Sequence, residues 1–179
     1  MLLISSPAKA WEEINLEDRR KVFTAFVYPM IGLCGLSFFL GTIFDTGLTA
    51  VGFQRAMTNC CAVFVALFGG YFLAAYAVNK LAVTMFQQKD DIQLIQQFVG
   101  YAMVVTFLLD IIAGVIPSFF ILRCIFQFYV VFIVWEGAAK LIGVEEKIRM
   151  SYTIMASLLI IVCPAVLGFI FSKLTVILN

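Results

Sequence analysis

The chain has no histidine and little charge. Only 13% of its 179 residues are Asp, Glu, Lys or Arg, about half the roughly 25% of a soluble domain. Without histidine there is neither the commonest metal ligand nor the usual general base near neutral pH. A net charge of +1 offers no electrostatic footprint for nucleic acid. The five cysteines, Cys34, Cys60, Cys61, Cys124 and Cys163, form no CxxC pair, and an odd number cannot pair completely within one chain. They read as small apolar packing residues. HExxH and Walker-type motifs are missing, as is a pair of carboxylates at one depth. No catalytic activity, metal or cofactor is therefore expected. Met1 to Ser6 lacks a basic start and a long apolar run, so no cleavable signal peptide is expected, and the first apolar helix would direct insertion.

What the chain has in excess is apolar length. It is 63% hydrophobic, with a mean hydropathy of +1.05. A soluble domain of this size could not hide that much apolar surface. The expected fold is all-α, a polytopic membrane protein with five transmembrane helices. Spans are expected over about 22–44, 59–83, 93–116, 119–141 and 151–174. Each is long enough to cross a core of about 30 Å at about 1.5 Å per residue. Residues 22–179 would form this bundle and residues 1–21 a cytoplasmic or interfacial segment before it.

Ser6-Pro7 reads as a helix start, with Ser at the N-cap and Pro at the first position. From Pro7 to Arg20 an amphipathic helix would place Pro7, Ala10, Trp11 and Ile14 on one face. Trp favours headgroup depth, so this helix would lie along the membrane surface or pack as a cap on the bundle. Pro29 and Pro164 fall inside spans and predict a kink, or for Pro29 a first turn. Asp45 to Arg55, Thr84 to Asp91 and Gly143 to Arg149 read as connections. In the second span Ala62, Ala66, Gly70 and Ala74 recur every four residues, a smooth ridge for close approach of another helix.

Nine of the twelve Lys and Arg residues lie near one side of this arrangement, and Arg55, Arg123 and Lys173 near the other. That bias predicts a cytoplasmic N-terminus and an outside C-terminus, with a bacterial inner membrane as the expected setting.

Charges at membrane depth need partners or a cavity. Asp110 lies seven residues before Pro117 and Arg123 six after it, so an antiparallel hairpin brings them to one depth. An Asp110–Arg123 ion pair is expected, either as a latch between the third and fourth spans or as part of a polar pathway. Glu136 lies nearer the other end, with Lys140 one turn on or Lys80 of the second span as its expected partner. Lys80, Asn79, Gln96, Gln97 and Tyr101 share that depth. They would form either a polar cluster opening to the cytoplasm or interfacial residues reaching headgroups and water.

Five segments in combination resemble the Ypt-interacting protein (Yip) family, in particular its bacterial members. They are Ser6-Pro7 with Trp11-Glu12-Glu13-Ile14, Leu81 to Phe86, Val99-Gly100-Tyr101, Gly114 to Pro117, and Trp135-Glu136-Gly137. The resemblance covers nearly the whole chain and implies a five-span membrane fold. Two departures stand out: Ala102 to Val105 has no proline, and the long polar N-terminal region of eukaryotic members is missing. In those members the family implies contact with Rab-type GTPases; the bacterial members imply fold and topology more than an activity.

Two functions are compatible with these features. One is a non-enzymatic protein that organises or binds membrane proteins or lipids, in contact with the bilayer and with a membrane-protein partner or a second copy. The other is a small transporter or channel using Asp110, Arg123 and Glu136. A hydrated cavity lined by Glu136 and Tyr101 would favour transport. A dry bundle with Asp110 bonded to Arg123 would favour binding.

Overall fold

In hydrocarbon every backbone N–H and C=O must be satisfied internally, so apolar runs of this length wind into helices. The computed structural model describes residues 2–16 and 18–178 and, among these, contains helices and no strands. Two short helices come first, α1 (Leu2–Ser5) and α2 (Pro7–Ile14). They are followed by α3 (Tyr28–Thr46), α4 (Ala50–Phe86), α5 (Ile92–Ala102), α6 (Val104–Val115), α7 (Phe120–Phe126), α8 (Tyr129–Gly137) and α9 (Glu146–Leu178). They make five stretches long and apolar enough to cross a membrane: Phe23–Thr46, Ala50–Phe86, Ile92–Val115, Ile121–Ile142 and Glu146–Lys173. The protein is a multi-pass, all-α membrane protein.

Several boundaries differ from expectation, each for a local reason. The amphipathic helix ends at Ile14 rather than Arg20, and a single 3-10 turn, Arg19–Lys21, leads into the first span; Glu17 of the expected helix lies outside the described residues. Pro29 stands in the first turn of α3, preceded by a π turn over Phe23–Val27. A proline offers no N–H to the carbonyl four residues back, and a widened turn accommodates that loss.

The connection expected over Asp45 to Arg55 is only a three-residue turn. Gly47, at φ +76°, ends α3, and the left-handed region is open to glycine at little cost. The Thr49 hydroxyl then caps α4 by accepting from the Gly52 N–H at 3.0 Å. α4 thus begins at Ala50 rather than near Asn59 and runs 37 residues, about 55 Å at 1.5 Å per residue. That is well beyond a core of about 30 Å. The charged segment after the fourth span is also mostly helical, because α9 starts at Glu146. A π turn over Ala138–Ile142, with Gly143 at φ +74°, closes the fourth span.

Helix packing follows small residues. A Cβ built on Gly70 would stand 2.6 Å from Pro164 Cα, and one on Gly168 would meet Ala66 Cβ at 3.7 Å. Ala66, Gly70 and Ala74 are buried, and Ala62 is half-buried. The ridge of α4 therefore lies against α9 where Pro164 interrupts it. A second close approach joins α3 to α6: a Cβ on Gly41 would collide with the Gly114 carbonyl, and one on Gly114 would lie 2.8 Å from Phe38 N.

Candidate functional site

Chemistry-bearing residues gather at the two ends of the bundle, which differ in construction. At one end sits α2, whose apolar face of Pro7, Ala10, Trp11 and Ile14 is buried. The helix packs as a cap on the bundle, with Trp11 turned inward and 0% exposed. Its Nε1–H donates to the Ile133 carbonyl at 3.0 Å, so the indole meets its one polar demand inside the fold. The ring fits because position 137 is glycine. A Cβ there would come within 2.7 Å of both the Trp11 and Phe98 rings. Phe98 and Tyr101 flank the indole, with ring centroids 5.6 and 6.4 Å away. Three segments that carry the family resemblance, around Trp11, Gly100-Tyr101 and Trp135-Gly137, thus meet at one place.

Polar contacts fasten this capped end. Gln97, fully buried, donates from Nε2 to the Ile14 carbonyl at 2.8 Å. Lys140 Nζ lies 2.6 Å from Glu12 Oε1, and this ammonium holds the Glu12 carboxyl below the usual glutamate range. Arg19 pairs with Asp91 at 2.9 Å. The Asp91 carboxylate also caps α5 by accepting from the Leu94 N–H at 3.0 Å.

The polar cluster expected here is not one site. The salt-bridge partner of Lys140 is Glu12, brought by α2 from 128 residues away; Glu136 one turn back, half-buried in the last turn of α8, acts on the ammonium only as a weaker, more distant charge. Asn79 donates to Asp90 at 2.7 Å. Lys80 Nζ lies 6.0 Å from the Tyr76 ring centre. Gln97 and Tyr101 belong to the seat of α2. The Gln96 carbonyl accepts from the Tyr71 hydroxyl at 3.2 Å.

The opposite, open end is built around the hairpin of the third and fourth spans. Asp110 is buried, and its Oδ1 lies 2.6 Å from Arg123 Nη2. No hydrogen-bond donor is aligned on that oxygen among the described residues, so the pair is an ion contact rather than a fork of hydrogen bonds. One turn deeper in the same antiparallel register, Gln127 Nε2 donates to Thr106 Oγ1 at 2.8 Å. The Gln127 Oε1 is buried with no hydrogen-bond partner among the described residues. At Gln127–Phe128 the fourth span breaks between α7 and α8, and the Phe128 and Val130 N–H groups bond three residues back.

Two cavities meet at Arg123. One, of about 750 Å³, is lined mainly by polar residues of the α3–α4 corner, including Thr42, Asp45, Gln54, Arg55 and Asn59. The other, of about 540 Å³, is a largely apolar slot between the packed α4–α9 pair and the hairpin of α6 and α7, bordered by Asp110, Gln127, Ala66 and Gly168. Phe38 and Arg123 line both. Neither cavity is lined by Glu136 or Tyr101. Sequence reasoning missed Thr106 and Gln127, although their positions repeat the register of Asp110 and Arg123. It also missed Arg55, Gln54 and Asp45 as cavity residues, because they were read as a connection.

The family model for the Yip1 domain matches residues 1–171. No curated protein and no solved structure matches the chain. The chain belongs to the Yip1 domain family.

Proposed function

Taking a Yip1-family membrane protein as the premise, we propose that this chain is non-enzymatic and binds membrane components from its open end rather than conducting a solute. The observation that carries this reading is the contrast between the ends. At the capped end the seat of Trp11 is filled by aromatic rings. The two cavities at Arg123 lie at the other end and reach the perimeter, where Arg55, Cys124 and Phe169 are exposed; a shallower apolar hollow of about 460 Å³ lies outside the Trp11 seat, on the α4–α9 face beside Lys80 and Thr84. Among the described residues no group of three or more Cys, Asp or Glu side chains converges to hold a metal ion.

In this reading Asp110–Arg123 is a latch that holds the hairpin and fixes the guanidinium at the rim of both cavities. The Lys and Arg bias places the capped end in the cytoplasm and the open end outside, as the inner membrane of a bacterium would have them. Residues 1–21 then form a cytoplasmic cap, and the bundle occupies the rest. The contacts available to a second membrane protein are the lipid-facing flanks of α4 and α9 near Pro164.

Reconstitution into sealed vesicles tests the reading. Vesicles containing the full chain should hold a proton or potassium gradient as long as empty ones do. A saturable flux that Arg123→Gln abolishes would overturn the proposal in favour of transport.

A further inference from the structure

We infer that the paired cavities at the open end hold one phospholipid, its headgroup in the polar cavity and an acyl chain in the slot between the α4–α9 pair and the hairpin of α6 and α7. This deepens the proposed binding role and rests on it. A polar cavity and an apolar slot share a wall at Phe38 and Arg123, so a ligand filling both must be polar at one end and apolar at the other. In a bilayer that description fits the surrounding lipid.

The charges specify the headgroup. Arg123 reaches the cavities from the latch with its side chain 32% exposed. Arg55 lines the polar cavity, and among the described residues no carboxylate lies within 4.0 Å of it. Guanidinium groups bind phosphate through charge-assisted hydrogen bonds. Asp45 lines the same cavity, so its charge set is mixed. A phosphodiester facing Arg55 and Arg123, with an ammonium facing Asp45, matches that set. A headgroup of net negative charge matches it less well.

Depth agrees. Arg55 lies in the second turn of α4, a helix about 55 Å long by its 37 residues. Its first turns can therefore stand at headgroup level while the rest crosses the core. The slot is bordered by Ala66 and Gly168, small residues whose missing side chains make the room.

The experiment uses the full chain, purified in detergent and exchanged to remove bound lipid. It is then offered phosphatidylethanolamine, phosphatidylglycerol or inorganic phosphate, and retained adducts are counted by native mass spectrometry. The expected result is one phosphatidylethanolamine per chain, in preference to phosphatidylglycerol, not displaced by inorganic phosphate. Arg55→Gln should weaken retention about tenfold, the loss of one hydrogen bond to a charged group. Gly168→Leu should also abolish retention by filling the slot. Arg55 is exposed, and a Cβ at 168 meets only ordinary contact with Ala66, so both variants should keep the wild-type unfolding midpoint.

Equal retention by wild type and both variants would overturn the inference. So would displacement by inorganic phosphate, which would mark a free-anion site. Equal or stronger retention of phosphatidylglycerol would overturn the headgroup assignment. A solute flux with lipid retention intact would instead refute the binding-not-conduction reading alone, so the two failures are distinguishable.

Discussion

At the capped end a fully buried Trp11 is wedged between Phe98, Tyr101 and the bare backbone of Gly137, whereas at the open end Arg123 stands a third exposed where two cavities meet. Both ends must bring together segments far apart in the chain. The capped end does so with aromatic area, the buried hydrogen bonds of Trp11 and Gln97, and two exposed ion pairs at its edge. The open end uses an ion contact, an amide–hydroxyl bond and two glycines in mutual contact. Aromatic packing fills the seat of Trp11 and leaves no room there. Polar pairing between helices leaves space beside it, and that space is where a ligand has access. The difference locates stability at one end and recognition at the other.

The largest expected effect attacks the capped end. Trp11→Ala removes a buried aromatic together with its hydrogen bond to Ile133, and such truncations cost about 3–5 kcal/mol. Thermal unfolding of the detergent-solubilised chain should show a markedly lower midpoint, and α2 should become sensitive to protease. An unchanged midpoint would mean that the cap is an ornament of the fold.

Next in size is an asymmetry at the open end. Arg123→Gln leaves the buried Asp110 without its counter-charge and should cost about 3 kcal/mol, the lower edge for a broken buried pair because Arg123 is partly exposed. Asp110→Asn should cost less, since the freed guanidinium can turn into the cavities. The double variant should recover much of the loss. Equal costs for the two single variants would show that burial does not distinguish the partners.

Gly41→Ala probes the close contact of α3 with α6. A Cβ there runs into the Gly114 carbonyl, so the helices must part, at about 1–3 kcal/mol for overpacking. The same unfolding experiment reads it. Its effect should fall on the open end, leaving protease protection of α2 unchanged.

The smallest effect concerns pH. The Glu12 carboxyl is held below its usual range by Lys140. Its contribution is therefore present above the unfolded glutamate value and is lost as pH falls through the lower, folded one. The pair is exposed, so the expected change is slight. Protease cleavage before α3 should rise modestly in acid for wild type but hold a flat profile in Glu12→Gln.

Much of this architecture can be read in the chain itself. Apolar runs longer than a bilayer core separate five spans, and the face formed by Pro7, Ala10, Trp11 and Ile14 follows from helical spacing. The depth shared by Asp110 and Arg123 follows from counting residues on each side of Pro117. What the face of α2 packs against does not follow. A tryptophan at headgroup level and one capping a bundle have the same local pattern, and the hollow that decides between them is Gly137, on α8. Lys140 illustrates the same limit: a local rule offers Glu136, while the fold supplies Glu12. The start of α4 was hidden for another reason. Asp45, Gln54 and Arg55 look like a loop when helices are expected to end with their apolar run. Here the helix continues past that run, and its polar turns line a cavity.

The comparison of the two ends is tested most directly by cysteine labelling in sealed native membranes. In a chain stripped of its own cysteines, Thr58→Cys lines the polar cavity and Ala10→Cys lies under α2. With a membrane-impermeant maleimide applied from each side in turn, Thr58→Cys should label readily from the open-end side, and Ala10→Cys should resist from both. Labelling of Ala10→Cys from the capped-end side at the rate of Thr58→Cys would contradict the account, because water would then reach the seat of Trp11 and the bundle would be open at both ends.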